Sequence, residues 1–204
     1  MSTSLLYHAF GIRGYDYVRT DYRGGQVIFT IAQDPEGRRC CCSACGSREV
    51  ISRGHAERRF RSLPIGSRPT AVVLPIPRVE CRACGAVRQV EVPFAYPRRS
   101  YTRSFERYAL ELSRRMTIKD VAHHLDVGWD TVKDIQKRDP ARRCAKPKLK
   151  HLRTIAIDEI AVARGHRYLT VVMDLDSGAV VFVGDGKGAD ALKPFWKRLR
   201  PSGA

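Results

Sequence analysis

The chain has 204 residues, enough for one to three small domains. Its hydrophobic content of 43% supports small cores, and the lack of any apolar run of about 18 residues excludes a membrane-spanning helix. A net charge of +16 favours a polyanion, most simply nucleic acid, over a merely solvated exterior.

Residues 5–31 predict a small strand pair. Tyr15, Tyr17, Val27, Phe29 and Ile31 alternate with other residues, and Arg23-Gly24-Gly25 supplies a turn. Pro35-Glu36-Gly37 closes this hairpin region, residues 1–37, which carries no chemistry and is expected to pack against the cysteine-bearing module after it.

Residues 38–97 hold two matched units, Cys42-Ser-Ala-Cys45-Gly46 and Cys81-Arg-Ala-Cys84-Gly85. Two such pairs can set four thiolates around one zinc ion, with Cys42, Cys45, Cys81 and Cys84 as ligands. The Gly after each pair suits a tight turn that needs positive φ. Disulfides or free thiols are the alternative. No basic-then-apolar leader opens the chain, so secretion is not expected, and cysteines in such a chain point to metal first. Cys40 and Cys41 could compete with Cys42, but only Cys42 gives the two-residue gap seen at Cys81 and Cys84. Pro64, Pro69, Pro75, Pro77 and Pro93 exclude helix through most of the region, while 70–74 and 87–92 are β-like. Short strands around two knuckles describe a zinc ribbon, in which structural Zn2+ supplies much of the folding energy. His55, a lone histidine, reads as a surface residue.

Residues 98–139 change period. Phe105, Tyr108, Ala109 and Leu112 mark one helix face. Thr117 is a candidate N-cap for a second helix with Ile118, Val121 and Ala122 inward. Residues 125–128 make a Gly-containing turn, and a third helix carries Trp129, Val132 and Ile135 on one face. This is the helix-turn-helix pattern, although an ordinary three-helix packing unit has the same periodicity. Asp130, Thr131, Lys133, Asp134 and Lys137 fall on the outward face. Thr131, Lys133, Lys137 and Arg138 are the candidate DNA contacts on this helix. Residues 140–153 read as a basic linker whose Arg142 and Arg143 can lie on phosphates; Lys146, Lys148, Lys150 and Arg153 continue the run. Up to residue 153 the chain carries 30 Lys+Arg against 15 Asp+Glu; after it, 7 against 6.

Residues 154–200 predict three strands and a helix. The strands are 154–160, 168–173 and 179–183, the last two forming a hairpin, and Asp190 is expected to cap a helix through Leu199. Asp158 interrupts the first strand. An unpaired carboxylate among apolar strand residues is costly, and a bound hard cation such as Mg2+ would offset that cost. A solvent-facing or Arg-paired acid is the alternative. Glu159 points to the opposite face, and Asp174, Asp176 and Asp185 read as turn residues.

The order of zinc ribbon, helix-turn-helix, basic linker and the stretch 155–188 resembles the ISL-three family of insertion-sequence transposases over about residues 38–200. The resemblance implies a multidomain α+β protein: an N-terminal β/zinc ribbon, a three-helix helix-turn-helix domain, and from residue 154 the start of a ribonuclease-H-like α/β catalytic domain. It implies that Asp158 is the first acid of a DDE active site using Mg2+. It also implies that the four cysteines are zinc ligands and that the partner is double-stranded DNA at terminal inverted repeats, which such enzymes cleave and join. In that family two further acids lie beyond the first helix of the core. The chain therefore reads as C-terminally truncated and inactive alone, its unfinished sheet edge prone to poor solubility or to pairing into a homodimer. The second reading is a stand-alone zinc-dependent DNA-binding protein or repressor. Either reading implies a bacterial cytoplasmic location, at the nucleoid, and no membrane partner.

Overall fold

The computed structural model describes residues 5–33, 40–143 and 149–199, which form five helices and two sheets. The chain divides into two compact units, residues 1–136 and 137–204.

The first unit is built on a five-stranded sheet. Strands β1 (Tyr15–Arg23) and β2 (Gln26–Gln33) form an antiparallel hairpin. Its two turn residues, Gly24 and Gly25, both have positive φ, the conformation a tight hairpin of this twist demands. Strands β3 (Val50–Ile65) and β4 (Arg68–Cys81) form a second, longer antiparallel hairpin. The two hairpins join through a parallel pairing of β2 with β4, Val27 opposite Thr70 to Thr30 opposite Val73. The short β5 (Val87–Gln89) adds to β4 at Arg78–Glu80. The order is β1-β2-β4-β3.

Two expectations are corrected here. The strands of the zinc-bearing region are 16 and 14 residues long, not short. Prolines do not shorten β4 because Pro75 and Pro77 fall between the stretches paired to β2 and to β5, where that side of the strand has no ladder partner. Residues 5–31 are also more than a strand pair. They begin with a helix, α1 (Leu5–Phe10), which buries Leu6 and Phe10 against Phe29, Ile31, Val72 and Leu74. At six residues it is too short to show a helical period.

Three helices come next: α2 (Arg103–Leu112), α3 (Ile118–His124) and α4 (Trp129–Arg143). Thr102 and Thr117 cap α2 and α3, each hydroxyl accepting the amide three residues on. Phe105, Ala109, Val121, Leu125, Val132 and Ile135 form the shared core, each nearly inaccessible. Between α3 and α4 it is Asp126, at φ +50°, that takes the left-handed conformation, while Gly128 does not. Trp129 is not inward beside Val132, as its period implies, but 46% exposed. Residues 140–143, the start of the expected basic linker, are helical, since α4 runs through Pro140 to Arg143.

The second unit is an antiparallel sheet ordered β6-β7-β8, from β6 (Ile155–Ala163), β7 (Arg167–Asp174) and β8 (Val180–Asp185), with α5 (Ala189–Leu199) against one face. Leu149, Val172, Val181 and Phe195 form its core. Leu149 lies in the stretch expected to be a basic linker, and it is buried. Asp190 is inside the first turn of α5 rather than its cap, and pairs with Lys193 at 2.6 Å. No helix among the described residues is long and apolar enough to cross a membrane.

Candidate metal centre and nucleic-acid interface

The two Cys-containing turns are built alike. Gly46 donates its amide to the Cys42 carbonyl at 2.8 Å, and Gly85 to Cys81 at 2.9 Å. Both glycines have φ near +70°, with nothing within 4 Å of an added Cβ, so conformation rather than space demands glycine there. One turn precedes β3 and the other follows β4. Pairing Val50 with Cys81 therefore brings the turns together at one end of the hairpin. The Arg82 amide ties them further by donating to the Glu49 carbonyl.

The sulfurs of Cys42, Cys45, Cys81 and Cys84 all lie within 4.8 Å of one another. Cys42 to Cys84 is 3.7 Å and Cys45 to Cys81 is 3.5 Å. Four sulfurs at about 2.3 Å from a tetrahedral zinc stand about 3.8 Å apart, so the cluster fits that ion and is too open for disulfides. Cys40 and Cys41 stand outside the cluster.

The thiols are unequal. Amides at Cys45 and Ala44 hold the Cys42 thiol down at about 6. The Ser47 amide draws Cys45 down, but the sulfurs of Cys81 and Cys84 outweigh it and push that thiol up to about 12. Burial raises Cys81, yet the Cys84 amide and the Cys45 sulfur bring it below its ordinary value. Four thiolates this close repel, so part of the set stays protonated until a cation lets all four ionise.

The helical bundle is fastened to β3, the strand that follows the first Cys-containing turn. The Arg61 guanidinium, on β3 and only 15% exposed, donates to the Leu125 carbonyl at 2.6 Å and stands 3.6 Å from Asp126. Burial pulls its pKa down and Asp126 pulls it back. The Arg61 main chain also exchanges bonds with Ser100 and Thr102. A second link runs from Arg58 to the Arg99 carbonyl, and from the Arg99 side chain to Asp134 on α4 at 3.3 Å. Sequence reasoning misses Arg61 and Arg99, because nothing local marks one arginine of a basic strand as a clasp.

On α4, Lys133 and Lys137 are exposed, while Thr131 and Arg138 are half-buried. Lys133 lies over the Trp129 ring, its Nζ 4.6 Å from the centroid. Arg142 and Arg143 lie on the last turn of α4, and Cys144, Lys146 and Lys148 fall outside the described residues.

Asp158 is exposed on β6, opposite Val171, and its Oδ1 accepts the Glu159 amide at 2.8 Å. The expected desolvation penalty is therefore absent, since β6 lies at one edge of its sheet. Glu159 Oε1 accepts the Gly188 amide at 2.7 Å, which pins the loop before α5. Asp174 receives the Asp176 amide and the Ser177 hydroxyl, as a turn residue does. Among the described residues, Asp158 belongs to no group of three or more metal-ligand side chains.

Residues 38–84 match the zinc-finger of transposases IS204/IS1001/IS1096/IS1165, residues 90–139 the helix-turn-helix domain of transposase family ISL3, and residues 155–204 the transposase domain of that family. The chain belongs to the ISL3 transposase family. Among curated proteins it is similar to the transposase for insertion sequence element IS1001 of Bordetella parapertussis, 27% identical over 95% of this chain and 48% of the relative. It is also 33% identical to the transposase for IS1557 of two Mycobacterium tuberculosis strains, over 78% of this chain and 36% of the relative. This ISL3 chain thus spans half or less of the curated relatives it matches. No solved structure matches it.

Proposed function

We propose that the chain is the DNA-recognition part, and the opening of the catalytic domain, of a transposase that binds the terminal inverted repeats of an insertion sequence. One observation carries the reading. Zinc-finger and helix-turn-helix matches from one transposase family fall on a four-sulfur cluster and a capped three-helix bundle that share a clasped body. Residues 38–97 would be a zinc-ribbon module with Cys42, Cys45, Cys81 and Cys84 as ligands of a structural Zn2+. Residues 98–139 would bind duplex DNA through Thr131, Lys133, Lys137 and Arg138, with Arg142 and Arg143 following on phosphates. The β1–β2 hairpin would brace the ribbon through the pairing of β2 with β4.

Residues 154–204 would open a ribonuclease-H-like domain in which Asp158 is the first of three acids. Such a domain holds divalent metal, here Mg2+, which supplies charge neutralisation at the reacting phosphate. Asp158 alone does not make that site, so the remaining acids would come from the further length seen in the relatives. The role left to this chain's residues is to present one exposed carboxylate on a strand stiffened by the Glu159–Gly188 bond. Strand cleavage and joining, a homodimer and location at the nucleoid complete the proposal.

The test is selection of bound sequences from a random duplex library by the zinc-loaded chain. Recovery of the terminal repeats of its own element, with affinity falling steeply with salt, is expected. Equal recovery of all sequences would overturn end recognition and leave only charge-driven binding.

A further inference from the structure

Trp129 is the first residue of α4, and nearly half its surface meets water although its neighbours in the helical period, Val132 and Ile135, are fully buried. Among the described residues of 98–143 it is the one large apolar side chain left this exposed. Leaving an indole in water forgoes burial free energy. The bundle core beneath it is complete without it. Its ring lies against the Lys133 ammonium, one turn along the same helix face. Tryptophan and lysine together make a rigid plate with an apolar rim, an N–H donor and a positive charge at fixed height.

We infer that Trp129 is a sequence-reading residue, contacting base edges of duplex DNA in the major groove. The inference rests on the DNA-binding reading above. The second helix of a helix-turn-helix pair points its N-terminal residues at base edges, and Trp129 opens that helix. The major groove offers the thymine methyl to an apolar side chain and guanine acceptors or a flanking phosphate to an ammonium. Stacking on the ring holds the Lys133 charge where it serves either. Of the acids on the same stretch, Asp134 lies against Arg99, and Asp130 can accept from a cytosine amino group.

The chain has two tryptophans, so Trp196→Phe leaves Trp129 as the sole indole. That protein is titrated with a labelled duplex taken from the selection, following label anisotropy and indole emission together. Both signals are expected to saturate at the same concentration. Trp129→Ala is expected to lose about tenfold in preference for the selected duplex over a random one, about 1.4 kcal/mol. Its salt dependence should not change, whereas Lys133→Ala should reduce the slope by about one ion. Anisotropy rising with indole emission unchanged, or Trp129→Ala keeping full preference, overturns the inference while DNA binding stands. No anisotropy change in any protein overturns the DNA reading and this inference with it.

Discussion

Replacing Arg61 by methionine tests whether the zinc-bearing sheet and the helical bundle act as one body. Methionine keeps the apolar stem and removes the guanidinium, so the Leu125 carbonyl loses a donor at 2.6 Å in a site where the arginine is only 15% exposed. A hydrogen bond from a charged donor is worth about 1.5–3 kcal/mol. The neighbouring Asp126 is 76% exposed and 3.6 Å away, and an exposed ion pair contributes under about 1 kcal/mol. Arg61→Met should therefore cost about 2 kcal/mol. For a unit of this size that lowers the melting temperature by roughly 6–10 °C. Asp126→Asn, which tolerates the same left-handed backbone, should cost under about 0.5 kcal/mol. Circular dichroism melts at equal zinc loading provide the comparison, and amide exchange at residues 125–128 should accelerate in the arginine variant alone. Equal melts for Arg61→Met and the parent, or a larger loss from Asp126→Asn, would refute the clasp.

Cys42→Ser and Cys81→Ser should each abolish stoichiometric zinc, read by native mass spectrometry, and loosen the base of the β3–β4 hairpin; retention of one zinc per chain would contradict the cluster assignment. A Cβ on Gly184 would stand 2.5 Å from the Ala191 carbonyl oxygen. Gly184→Ala should thus push α5 off β8 and destabilise the second unit by about 1–3 kcal/mol, visible as an earlier melting step. Because Asp158 is exposed, Asp158→Asn should leave folding and DNA affinity within about 0.5 kcal/mol of the parent. In a protein of the family's full length the same change should abolish strand cleavage; retained cleavage would remove Asp158 from the active site.

What is legible in the sequence is local. The Cys-x-x-Cys-Gly spacing fixes each turn by itself, and identical turns need only be brought together. Thr117 and the 3.6-residue period set α3 and its inward face without distant help. Long-range pairing leaves no such trace. Residues 51–57 are exposed and do not alternate, so only the β4 ladder makes them a strand. Parallel pairing of β2 with β4 joins segments far apart in the chain. Trp129 has the right phase for the core but sits one turn before the bundle closes over Val132, so periodicity alone misplaces it. Composition leaves the solvation of Asp158 open between a costly buried acid and a solvent-facing one, and the exposed position on edge strand β6 decides for the latter.

The insertion of β2 beside β4 has a practical side. Cutting the chain just before its first cysteine would strip a flank from β4, leaving the amides and carbonyls of 70–73 bare and Val72 and Leu74 without Phe10, Phe29 and Ile31. Such a fragment offers a sticky template to any passing strand. A zinc finger excised at its sequence-motif borders should precipitate, and one that carries the first hairpin should not.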